Sequence, residues 1–191
     1  ITLIYINTLI DKERLNESII EPLFQCSSDR IDHCLTNSKI TKITALDDAK
    51  KELMRGSIIL NNPKDSHWWA IQLEKPLSRA IEQSVTETVI YGAKDSFSEQ
   101  IDDNITLIRR RLPLTELKTE KFHIGYLSQT QVILIYIEGL TNPEFISEAR
   151  NKISAINYDQ FLDSSQVAAF MDDYPYSIFP QFLQTDRPDA C

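Results

Sequence analysis

Glycine is scarce in this chain. Its 191 residues include only Gly56, Gly92, Gly125 and Gly139, and no two fall within a helical turn of each other. That excludes G-x-G-x-x-G and G-x-x-x-x-G-K-[ST], in which clustered glycines let backbone amides approach phosphates. H-E-x-x-H and G-x-S-x-G are also missing, and with them the common zinc-peptidase and serine-hydrolase signatures. Long apolar runs are absent too. The longest, Val132–Ile137, falls far short of the ~20 residues that cross a bilayer as a helix. Basic residues are in deficit, 20 against 28 acidic ones, for a formal charge of −8. A field of that sign repels phosphate backbones, so no nucleic-acid partner is expected.

Cysteine is sparse and odd in number: Cys26, Cys34 and Cys191. With no secretory signal, this predicts a reducing compartment and idle thiols. Cys26, His33 and Cys34 lack C-x-x-C spacing and an evident fourth ligand, so neither a metal nor a cofactor is expected. The chain opens on Ile1 rather than methionine and stops just after Arg187-Pro188-Asp189, which predicts that it is part of something longer.

What is present is an internal echo. Leu3–Glu17 and Leu134–Glu148 share seven of fifteen positions, among them Leu3/Leu134, Tyr5/Tyr136 and Glu13/Glu144. Each copy reads as a buried strand, a turn and a helix. Leu15, Ile19 and Leu23 mark the first helix, and Ile146, Ala149, Ile153 and Ile156 the second. Asp11 and Asn142 stand where N-caps belong, and Pro143 suits a first helical turn. The pattern predicts an α/β fold of two small lobes with mixed sheets, partly related by internal duplication.

The first lobe, residues 1–76, reads β-α-α-β-β. Its second helix carries Leu46, Ala49 and Leu53 on one face and closes on Gly56. Strands are predicted at Ser57–Leu60 and His67–Leu73 around an Asn61–Asp65 turn. The second lobe, residues 77–191, begins with a polar connector to about Thr88 and a short strand at Thr88–Tyr91. A helix over Phe97–Leu112 follows, opened by a Ser96/Glu99 capping box. Next come a hairpin (Lys121–Leu127 and Gln131–Glu138), the second strand–helix unit, a short helix near Gln166–Met171 and an extended tail.

The run from Val89 to Leu112 is the densest in unusual features. Arg109, Arg110 and Arg111 close the helix, where they complement the negative end of its dipole. Successive helical residues point about 100° apart, so the three cannot share one contact. At least one is expected to face the lobe junction, meeting a carboxylate or a small anionic or zwitterionic ligand. The pairs Asp47-Asp48, Asp102-Asp103 and Asp172-Asp173 diverge in the same way and read as solvated faces rather than acid–base pairs. His67, ahead of Trp68-Trp69, reads as aromatic packing. No nucleophile–base set emerges.

Several segments, in one order, resemble the A subunits of bacterial spore germinant receptors, the GerA family. They are Glu87-Thr88-Val89-Ile90-Tyr91-Gly92, Phe97-Ser98-Glu99, Asn104-x-x-Leu107-Ile108-Arg109-Arg110-Arg111-Leu112, Gly125-x-x-Ser128-x-Thr130, Tyr136-Ile137-Glu138-Gly139, Phe179-Pro180-Gln181 and Thr185-Asp186-Arg187-Pro188-Asp189. The family usually has Arg-Gly-Pro-Arg where Tyr91-Gly92-Ala93-Lys94 stands, and Glu at the place of Asp186. The resemblance implies a soluble two-lobed α/β domain that is not an enzyme, with membrane helices elsewhere in the full protein. It also implies B and C partner subunits, placement in the spore inner membrane on the cytoplasmic (spore core) side, and a nutrient trigger such as an amino acid or sugar. The residues singled out for ligand or partner binding are Gly92, Lys94, Glu99, Asn104, Arg109, Arg110, Arg111 and Arg187.

Two other readings stay open from the sequence. One is a cytosolic enzyme that acts on an acidic metabolite through Glu99 and the arginine cluster. The other is a scaffold that docks receptor subunits and binds no small ligand.

Overall fold

The computed structural model describes residues 1–26, 31–35, 39–75, 96–161, 164–174, 177–179 and 181–190. The expected strand at Thr88–Tyr91, with Gly92 and Lys94, lies outside them. Contacts divide the chain into one compact unit of Ile1–Thr115 with Arg187–Asp189, and a second built on Glu116–Asp186.

The first unit is a four-stranded sheet of β1 (Thr2–Ile4), β2 (Ile40–Ile43), β3 (Ser57–Asn61) and β4 (Trp68–Gln72), in the order β1-β3-β4-β2. Leu3 faces Leu60, Ile59 faces Ala70 and Ile40 faces Ile71. β3 and β4 are central and apolar nearly throughout, as strands covered on both faces must be. Because side chains alternate along a strand, Ile58, Leu60, Trp69 and Ile71 point one way, where they meet Leu15, Ile19, Ile31 and Leu35. Ile59 and Ala70 point the other way and meet Ala49, Leu53 and Ile43. Each fully buried aliphatic side chain here contributes about 1.5–3 kcal/mol.

The first face is covered by α1 (Lys12–Leu15), a π-helical turn (Asn16–Ile20) and α2 (Glu21–Gln25), which run on without a break, and by α3 (Ile31–Cys34). Asp11 caps α1, accepting hydrogen bonds from the amides of Glu13 and Arg14. The π turn, whose last bond runs from the Glu21 amide to the Asn16 carbonyl, precedes Pro22. A proline has no amide to give and crowds the carbonyl four residues back, and the wider turn absorbs that. The second face is covered by α4 (Leu46–Met54). Gly56 follows it at φ +80°, and a β-carbon there would stand 3.3 Å from the Leu9 carbonyl oxygen. Glycine avoids both the strain and the contact.

In the second unit, β5 (Leu117–Ile124) and β6 (Thr130–Ile137) form a hairpin, in register from Leu117 opposite Ile137 to Ile124 opposite Thr130. Gly125 begins the loop at φ +83°, where a β-carbon would fall 2.4 Å from the Ser128 hydroxyl oxygen. α6 (Pro143–Ala155) is capped by Asn142, which accepts from the Glu144 amide, and α7 (Ser164–Met171) follows. Ile124, Ile153 and Phe161 centre this core, with Phe122, Val132, Leu134, Val167 and Met171 around them.

The α/β class is the one the chain adopts, and three details within it are corrected. The sheets expected to be mixed pair antiparallel throughout the described residues. β1, expected to be buried, is an edge strand with Thr2 and Ile4 exposed. The thiols expected to be idle are not: Cys26 and Cys34 form a disulfide, Cα atoms 5.6 Å apart, tying the residue after α2 to the end of α3.

Candidate functional site

Eight residues were candidates for the site, and five of them bear on one helix. α5 (Ile101–Arg111) belongs to the first unit and buries Ile105 and Thr106. It starts four residues later than the Ser96/Glu99 capping box predicts, because other side chains compete for the same backbone. Asn104 accepts from the Ser98 amide and donates to the Ser98 carbonyl, both at 2.7 Å, while the Ser98 hydroxyl accepts from the Gln100 amide. Asn104 thus clasps the entry to its own helix. Glu99 is exposed beside that entry.

Three polar side chains fasten α5 to residues 8–10 and 74–75, two segments joined by the Ile10–Glu74 bridge and by a hydrogen bond from the Lys75 amide to the Leu9 carbonyl. The Thr106 hydroxyl lies 2.7 Å from the Thr8 carbonyl oxygen and 2.8 Å from that of Asp102. Asp103 pairs with Lys75 at 2.8 Å. Arg110 pairs with Glu74 at 3.0 Å and donates to the Lys75 carbonyl. Arg110 thus has a carboxylate partner in Glu74, within the first unit.

The other two arginines point elsewhere, as the 100° step requires. Burial pushes the Arg109 guanidinium below its usual range. Arg111 acts on Asp189, whose carboxyl is held below the usual carboxylate range first by hydrogen bonds from Arg187 and, to a lesser degree, by the Arg111 charge. Arg187 and Asp189 pair at 2.5 Å. So Arg110 and Arg111 each neighbour a carboxylate, and Arg187 shares the second with Arg111. Glu99 stands at the opposite end of the helix from all three. From Ile101 to Arg109 the helix rises about 12 Å at 1.5 Å per residue, and Glu99 lies before that start.

One cluster escaped the sequence reading. In the second unit, Glu120 on β5 accepts from Arg150 on α6 at 2.5 and 2.7 Å and from the Tyr136 hydroxyl on β6 at 2.7 Å. Hydrogen bonds from Arg150, then Tyr136, hold the Glu120 carboxyl down at about 2. The same carboxylate pushes the Tyr136 phenol up. Thirty residues separate Glu120 from Arg150, and no local spacing announces such a pair. His67 packs edge-on to Trp69 with ring centroids 4.7 Å apart, as an aromatic role predicts. Among the described residues, no three His, Cys, Asp or Glu side chains group as metal ligands, and no helix is long and apolar enough to cross a membrane.

The chain resembles spore germination protein GerQA of Bacillus cereus, at 32% identity over 99% of this chain and 39% of that protein. It is 29% identical to the membrane protein YfkQ of Bacillus subtilis over 98% of this chain and 38% of that protein. The chain therefore spans about two-fifths of the length of these relatives. Among solved structures it is similar to the N-terminal domain of the A subunit of the Bacillus megaterium spore germinant receptor GerK3. That likeness has a TM-score of 0.68 at 21% identity, covering 98% of this chain and 71% of the other, and it establishes the shared fold. The model of the Bacillus/Clostridium GerA spore germination proteins matches residues 1–191, and the chain belongs to that family.

Proposed function

We propose that this chain is a non-enzymatic domain of a membrane-bound spore germination receptor that relays, or helps detect, a nutrient germinant signal. The observation that carries the reading is the mounting of α5. The helix is the last element of the first unit, and only Leu112–Thr115 separate it from the start of the second. It is held by two ion pairs, Arg110–Glu74 and Lys75–Asp103, and by the shared Thr106 hydroxyl. A carboxylate-bearing nutrient or a subunit that competed with Glu74 or Asp189 for the arginines would loosen or re-seat α5. Contact alone is not enough. The ligand must favour one seating of the helix over the other, and the shift equals that difference in affinity.

On this reading the B and C subunits are the partners, an amino acid or sugar is the trigger, and the site lies at the spore inner membrane, on the core side. Arg109, Arg110, Arg111 and Arg187 form its reactive end. Asn104 shapes the entry to the helix, and Gly92 and Lys94 precede it. The enzyme reading loses its constellation, because Glu99 and the arginines stand at opposite ends of α5. A scaffold that binds no small ligand is separated by titration, since it would give no shifts with amino acids or sugars in the NMR spectrum of the chain.

The experiment is nutrient-triggered germination of spores whose full-length receptor carries Arg109→Ala, Arg110→Ala or Arg111→Ala. Receptor levels are followed by immunoblot, and folding of the chain by circular dichroism. Slower germination at normal protein level is expected for at least one variant that keeps its fold. Wild-type germination by all three would refute the proposal.

A further inference from the structure

A different surface, in the second unit, leaves large apolar side chains uncovered. From Ile153 to Asp186 the sequence contains seven of the chain's seventeen aromatic residues and five aspartates, but no lysine or arginine. Lys152, at its border, is occupied: it pairs with Asp173 at 2.6 Å and Glu148 at 3.1 Å and donates to the Met171 carbonyl. In this acidic stretch, α7 and the segment after it line an open groove of about 470 Å³ with Val132, Phe161, Val167, Met171, Phe182 and Leu183. That volume lies within the range of ligand and side-chain pockets. A bond from the Asp173 amide to the Gln181 side chain brings the tail back beside the helix end. The large apolar residues it carries stay in solvent, Ile178 at 89%, Leu183 at 84% and Phe179 at 76% exposure. Soluble surfaces seldom leave such a set uncovered unless something binds there.

We infer that this groove docks a basic amphipathic polypeptide segment, a helix with two or more apolar anchors flanked by lysine or arginine. The anchors enter between α7 and the Phe182–Leu183 strip, as in other helix-in-groove complexes. Asp172, which follows the lining residue Met171 at the end of α7, supplies complementary charge that orients it, while Asp173 beside it is already paired with Lys152. An anionic lipid surface fits poorly, because the same charges repel it. The inference does not depend on the role proposed for α5, which lies in the other unit.

The test uses the whole chain and a fluorescein-labelled amphipathic peptide of leucine and lysine, with a leucine/glutamate peptide of the same pattern as control. Fluorescence anisotropy is expected to show saturable binding of the first peptide and none of the second. Phe179→Ser with Leu183→Ser, both at exposed positions, should weaken binding at least about tenfold, the scale of losing central anchors. Asp172→Asn keeps the acceptor for the Tyr174 amide but removes a charge, and should flatten the salt dependence. Asp47→Asn with Asp48→Asn on α4 should change nothing. Three results would overturn the inference: equal binding by the serine variant, an equal loss in the α4 variant, or capture of the chain by phosphatidylcholine vesicles through Phe179 and Leu183.

Discussion

Thr106→Val tests how α5 is held. The Thr106 side chain is fully buried, at 0% exposure, and its one hydroxyl proton is shared between the Thr8 and Asp102 carbonyl oxygens at 2.7 and 2.8 Å. Asp102 lies four residues earlier in the same helix, so its carbonyl also has the helical amide bond; the bond to Thr8 is the one that ties α5 to the turn after β1. Valine has the same shape and leaves no cavity, so the cost is the Thr8 carbonyl deprived of a donor, about 1–3 kcal/mol. Burying a methyl in place of a hydroxyl offsets part of that, leaving a net loss of about 1–2 kcal/mol. Thr106→Ser keeps the hydroxyl and loses one methyl, about 0.5–1.5 kcal/mol by analogy with Ile→Val. Both tryptophans of the chain, Trp68 and Trp69, sit on β4, so their fluorescence reports on the first unit alone. In urea, Thr106→Val should lower the midpoint and leave the slope unchanged. A wild-type midpoint would show that the hydroxyl fastens nothing.

The Glu120 cluster sets a pH dependence for the second unit. The folded carboxyl titrates near 2, below its ordinary value of 4.5, so the unfolded state binds the proton first as pH falls. The stabilisation is complete above about 4.5 and lost between there and 2. Circular dichroism melts should show Glu120→Gln less stable than wild type at pH 7, with the gap closing across that window and narrowing in high salt, since the pair is partly exposed. A gap that is constant from pH 7 to 2.5 would refute the assignment. At Gly56, alanine must accept a φ of +80° and a 3.3 Å approach to the Leu9 carbonyl oxygen. A loss of about 1–2 kcal/mol is expected in the tryptophan-detected urea transition, and an unchanged midpoint would mean that the loop re-forms without strain.

How legible the fold was depended on the range of the interactions. Ala49 and Leu53 announce α4 because one helical face repeats every three to four residues, whereas Leu46, expected on the same face, stands 59% exposed at the first turn. Gly56 marks the end because only glycine sits easily at positive φ. Asp11 and Asn142, placed by the internal echo, do cap α1 and α6. The echo does not extend to the strands. β1 stops at Ile4, leaving Tyr5 beyond it, whereas β6 continues through Tyr136. β2 was missed because Ile40-Thr41-Lys42-Ile43 is half polar. An edge strand carries such residues without loss, and a lysine there discourages further pairing.

The site was legible in composition but not in arrangement. Three adjacent arginines are conspicuous, yet which one meets a carboxylate depends on helical phase and on residues thirty-six positions away. Arg110 reaches Glu74 only because the Ile10–Glu74 bridge brings residues 74–75 to the helix. The Thr106–Thr8 bond spans 98 positions. The Cys26–Cys34 disulfide was equally invisible, since an eight-residue separation is as ordinary for two free thiols as for a bonded pair. The disulfide and the α5 mounting divide the first unit by how its parts are held. The end of α2 and α3 are joined by a covalent bond that no ligand displaces. α5 rests on the buried Ile105, one shared hydroxyl and two ion pairs, and the ion pairs are each worth little enough for a modest ligand to outcompete. If any element of that unit changes its seating in response to a signal, energetics select the helix that carries the arginines.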